Sequence, residues 1–116
     1  MTSFEITQAE RAGWQRRAAR ELAAILDTHR DLPVIAWTVA SAGAATLVGQ
    51  VSGPFHAGQV RQVFHEWRTA LTLVEHSEVT VGAGNTYLRA AVDRNRVQVR
   101  LAATVHEEVP NGAVTP

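Results

Sequence analysis

Cysteine and lysine are both absent from the chain. The first absence removes disulfides, thiolate metal centres and cysteine nucleophiles together. The second leaves all eleven basic residues as arginine, so every permanent side-chain cation is a planar guanidinium able to hold an oxyanion through paired N–H groups. Arginine in place of lysine, beside abundant Ala, Val and Gly, reads first as the coding bias of a GC-rich genome. An excess of charge is also missing: the eleven arginines meet eleven Asp and Glu, and the formal net charge is zero. That disfavours a general nucleic-acid binder, which neutralises phosphates with a clear surplus of basic residues. Any anion site must be local.

Charge is missing altogether between Leu32 and Val60. A run of that length could cross a bilayer, which takes about 20 residues. Pro33, Thr38, Ser41, Gly43, Thr46, Gly49, Gln50, Ser52 and Gly53 dilute it, however, and its alternation is that of paired strands. No membrane association is expected. The opening "MTSFEITQAER" carries acidic residues and no apolar segment, so it is not a secretory signal, and the expected location is cytoplasmic.

What is present describes one globular unit. The chain has 116 residues, 46% hydrophobic and 19% charged, enough to bury a single core. The expectation is one α+β domain over residues 1–108, with a loose tail, "VPNGAVTP", over 109–116.

Thr7 and Glu10 have the spacing of a capping box and predict a helix from there to about His29, with Trp14, Ala18, Leu22, Ile25 and Leu26 as its apolar stripe. "VIAWTVA" and "ATLVGQVS" read as a hairpin that pairs Val39 with Leu47, Trp37 with Gly49 and Ile35 with Val51. A large ring would then cover a glycine. A second helix is predicted by Val60, Val63, Phe64, Trp67, Leu71 and Val74 at steps of three and four. "EHSE" reads as a polar junction, followed by a short strand "VTV", a Gly82-Ala83-Gly84-Asn85 turn and a final hairpin. The fold class expected is αββαββ, helix-hairpin-helix-hairpin: a mostly antiparallel four-stranded sheet with two helices on one face.

The last hairpin carries the chemical lead. Val97, Val99, Leu101, Ala103 and Val105 alternate with Arg96, Gln98, Arg100, Ala102 and Thr104, so the first set is expected to face the helices. A turn at Asp93-Arg94-Asn95-Arg96 would pair Val92 with Val97, Ala90 with Val99 and Leu88 with Leu101, setting Arg89 opposite Arg100 on the outer face. Opposed like charges cost a fraction of a kcal/mol in an antiparallel pair. Solvent screening is the simple compensation for exposed charges; an anion or a partner's carboxylate, held by Arg89, Arg94, Arg96 and Arg100 with Tyr87 beside them, is the functional one. The same face is unusually small in side chain, with Ala36, Thr38, Val48, Ala91 and Ala102 where a solvated sheet would carry longer polar groups. Those residues are the expected interface with a second copy or another protein.

Other signals are weaker. His29, His56, His65, His76 and His106 show no metal-ligand spacing, and Asp27, His29 and Asp31 are better explained as an exposed helix end, so no metal and no cofactor are expected. Glu75, His76, Ser77 and Glu78 include nucleophile and base types, but adjacent residues do not face one another, and no catalytic residue is assigned. Gly82-Ala83-Gly84 lacks the third glycine and the following helix of a phosphate-binding loop.

The strings "LPVIAWTVASAGAATLVGQV" and "TYLRAAVDRNRVQVRLAATV" resemble small uncharacterised proteins of high-GC actinobacteria over roughly Trp14 to Val105. The resemblance implies a bacterial, intracellular origin and no activity. The function expected from the residues is a non-enzymatic interaction module, homodimeric through the outer sheet face. The alternative is nucleic-acid or phosphate-ligand binding through the arginines of the last hairpin, with nucleic acid the less favoured partner.

Overall fold

A computed structural model of the chain describes residues 6–40, 43–51, 56–82 and 84–106. The expected tail over 109–116 lies outside the described residues. Two helices and five strands follow in the order αββαβββ: α1 (Gln8–Thr28), β1 (Ala36–Ala40), β2 (Thr46–Val51), α2 (Ala57–Leu71), β3 (Glu75–Val81), β4 (Asn85–Arg94) and β5 (Val97–His106). The α+β class stands, but the sheet has five strands where the sequence pattern predicts four. The added strand is β3, which takes in the whole of "EHSEVTV". Its residues are exposed on both faces, so no apolar alternation marks the first half of it.

The strand order is β1-β2-β5-β4-β3. Three pairs are antiparallel, while β2 and β5 run parallel, Thr46 beside Gln98 through Val51 beside Ala103. Such a pair needs a long crossover. Here α2, β3 and β4 supply it, and β5, last in the chain, becomes the central strand.

α1 starts where the capping box sets it: Glu10 N–H donates to Thr7 Oγ1 at 3.0 Å, and Thr7 N–H returns a bond to Glu10 Oε1 at 3.0 Å. Ala18 and Ile25 are buried and Trp14 and Leu22 pack against the core, whereas Leu26 turns to solvent. α2 buries Val60, Val63, Phe64, Trp67 and Leu71 against the sheet. Val74 is exposed instead of continuing that stripe, because Thr72 takes a left-handed conformation, ends the helix and turns Leu73 into the core. Both helices lie on one side of the sheet, α1 over β1 and β2, α2 chiefly over β5. Trp67 Nε1–H donates to Pro33 O at 2.7 Å, tying α2 to the segment that leads into β1.

The first hairpin has the register its sequence predicts, with Val39 beside Leu47 and Trp37 beside Gly49. The Trp37 ring lies so close over Gly49 that a Cβ there would come within 2.9 Å of it. The last hairpin does not. Asn95 and Arg96 alone form its loop, both left-handed at φ 51° and 65°, as a two-residue type I′ turn requires. The ladder therefore continues to Arg94 beside Val97, and all pairs shift by two residues: Leu88 meets Ala103, Ala90 meets Leu101 and Val92 meets Val99. A shift of two preserves the faces. Val97, Val99, Leu101, Ala103 and Val105 are buried under the helices, and Arg89 and Arg100 stay on the outer side.

Candidate functional site on the outer face of the sheet

The shifted register rearranges the arginines. Arg89 lies opposite Ala102, and Arg100 opposite Ala91. They are diagonal neighbours, about 7–8 Å apart between strands, where direct opposition is what a four-residue turn would have given. Arg94 leaves the group altogether. Its position beside Val97 puts it on the helix side, where its Nε approaches Glu21 Oε2 at 3.4 Å, while Asn95 Nδ2–H donates to Glu21 Oε1 at 2.9 Å. Glu21 is buried in the middle of the α1 stripe, and a buried carboxylate needs such partners. A glutamate three residues after Ala18 and four before Ile25 is the sequence signal that a cation must reach that spot. Arg96 sits at the exposed turn tip, so the four arginines do not form one patch.

What the fold brings together instead is a hollow on the outer face, of about 510 Å³, lined by Val48, Glu75, Ser77, Arg89, Arg100 and Ala102 among others. Two rows of cross-strand neighbours build it. One runs Thr38, Val48, Arg100, Ala91, Glu75 across β1, β2, β5, β4 and β3; the next runs Ala36, Gln50, Ala102, Arg89, Ser77. Three of the small side chains predicted for an interface, Val48, Ala91 and Ala102, therefore line a concavity, while Ala36 and Thr38 lie further along the two rows, on β1. Glu75 and Ser77 enter it because β3 is a full strand, and the sequence pattern had assigned both to a junction.

Arg100 Nη2–H donates to Gln98 Oε1, two residues back on the same strand, at 2.7 Å. Among the described residues neither Arg89 nor Arg100 has a carboxylate in ion-pair contact. The outer face as a whole is balanced, with Arg89 and Arg100 set against Glu75 and Asp93 among the described strand residues. Past the hollow, toward the Asn85 end of β4, apolar side chains gather on β3 and β4 beside Thr104 and the polar Asn85–His106 contact at 2.7 Å. Tyr87 pairs with Val79, and Val81 follows two residues on; the valines are 53% and 50% exposed, large values for β-branched residues.

The opposite side of β3 carries a separate polar contact. Arg61 Nη1–H donates to Glu78 Oε2 at 3.1 Å, and His76 lies near Phe64 and His65, with ring centroids 6.1 and 6.2 Å away. These contacts brace β3 against α2. Asp27 pairs with Arg30 at 3.2 Å at the end of α1. Among the described residues no group of three His, Asp or Glu side chains is arranged to hold a metal, and no helix is long and apolar enough to cross a membrane.

Comparison with models of known protein families and with curated protein sequences finds no match to the chain. What the outer face does must be read from its own geometry.

Proposed function

We propose that the chain is a non-enzymatic interaction module that self-associates through the outer face of its sheet. The observation that carries this reading is the composition of that face: with both helices on the other side, five strands present small side chains, an exposed Tyr87–Val79–Val81 ridge and equal numbers of arginines and carboxylates. A two-fold contact buries the same patch on both copies, so the patch must complement itself in charge and shape. A face with Arg89 and Arg100 beside Glu75 and Asp93 meets the first condition, and its short side chains allow the close approach that the second needs. The balance also makes nucleic acid the weaker partner, since a phosphate backbone asks for repeated cations without interspersed acids.

Sedimentation across micromolar concentrations tests the reading. A dimer mass is expected, and Tyr87→Asp, which sets a charge between exposed valines, is expected to reduce it to monomer. A monomer mass over the whole range would reject self-association.

A further inference from the structure

We infer that the hollow between Arg89 and Arg100 binds a small organic anion, one carboxylate or phosphate group on a compact apolar body. The inference goes beyond the reading above and does not require self-association; a second copy seated on the outer face would compete with the anion for Arg89 and Arg100. Its basis is two guanidiniums on adjacent strands, facing the same hollow, with no carboxylate in ion-pair contact with either among the described residues. Diagonal positions suit this use. Each arginine stands opposite an alanine, Arg89 beside Ala102 and Arg100 beside Ala91, so neither is screened by a long cross-strand neighbour.

The two arginines contribute differently. The Gln98 bond occupies one N–H of Arg100, leaving the remaining donors for an oxyanion. Arg89 has no side-chain partner among the described residues and is free to close over the bound group. Ser77, opposite Arg89 on β3, adds a hydroxyl at the edge of the hollow. Val48, Ala91 and Ala102 offer an apolar surface with no donor or acceptor in their side chains. The space, about 510 Å³, falls within the roughly 300–1,000 Å³ typical of small-molecule sites.

Glu75 sets the limit on charge. It lines the same hollow from β3, opposite Ala91, and a carboxylate there repels a second anionic group on the ligand. A polyanion is disfavoured for the same reason, and because Arg94 is engaged with Glu21 and cannot extend the cationic track. The site as built selects one negative end and tolerates a neutral or donor-bearing body.

An NMR titration of the full chain tests this, with phenyl phosphate, benzoate and inorganic phosphate as probes and sodium chloride at matched ionic strength as control. Saturable shifts are expected at Val48, Ser77, Arg89, Ala91, Arg100 and Ala102, with phenyl phosphate or benzoate bound more tightly than inorganic phosphate because only they use the apolar floor. Which of the two binds better decides between a phosphate and a carboxylate ligand. Arg89→Gln and Arg100→Gln should each weaken binding about tenfold or more, the usual effect of losing a charge-assisted hydrogen bond. Glu75→Gln should strengthen it, and Arg96→Gly, which removes a charge outside the hollow, should leave it unchanged. Shifts reproduced by chloride, or affinities that Arg89→Gln and Arg100→Gln leave intact, overturn the inference. Sedimentation of the same samples reads self-association independently, so either conclusion can fail while the other stands.

Discussion

On the helix side of β5, Val97, Val99, Leu101, Ala103 and Val105 are all buried; on the other side of the same strand Gln98, Ala102 and Thr104 are only half-buried and Arg100 is exposed. The two sides share one backbone and one register, yet different demands chose their residues. Packing under α1 and α2 leaves little freedom on the first, where volume and shape are set by Phe64, Trp67 and Leu47. On the second, no packing contact demands Arg100, whose side chain bonds to Gln98 among the described residues. A side chain that folding does not require, set diagonally across from a second cation, is where function is best sought.

Substitutions on the two sides test that contrast. The largest effect belongs to the helix side: Leu101→Ala should cost about 2–5 kcal/mol of stability, the usual range for truncating a buried leucine. Ala102→Ser, one residue away on the outer side, should stay within about 0.5 kcal/mol. Urea unfolding of both variants measures the gap, and similar losses would mean the outer side is packed after all. Gly49→Ala comes next. Its Cβ would meet the Trp37 ring at 2.9 Å and Ile35 Cδ1 at 3.0 Å, an overpacking that should cost about 1–3 kcal/mol although only one methyl is added. Opposite in sign is Arg96→Gly, which relieves a left-handed arginine at φ 65° and should raise the unfolding free energy by about 0.5–1 kcal/mol. A loss of stability there would show that the Arg96 side chain makes a contribution its exposed position gives no reason to expect.

The same contrast explains which parts of the fold were legible beforehand. The helix side was readable because burial repeats: α1 and α2 keep the period of a helix, β5 keeps the period of a strand, and the Trp37–Gly49 pair fixes the first hairpin by fitting a large ring to an absent side chain. β3 was half hidden because an edge strand exposed on both faces has no apolar alternation to report. The last hairpin slipped by two because Asn95 and Arg96 close it in left-handed geometry, and arginine at the second of these places is not the glycine that announces such a turn. The parallel pairing of β2 with β5 joins segments distant in the chain and leaves no local pattern. For the candidate site, the face that carries Arg89 and Arg100 followed from alternation alone, whereas the loss of Arg94 to Glu21 and the arrival of Glu75 and Ser77 depended on tertiary placement.

The central position of β5 has a consequence for synthesis on the ribosome. Until Val97–His106 has emerged, the β1–β2 hairpin and the β3–β4 ribbon have no strand between them, and the nascent chain must keep two separate pairs of open edges from other polypeptides. Insertion of one late strand then zips both halves at once, so the sheet should fold as a single event that waits for β5, with no stable half preceding it.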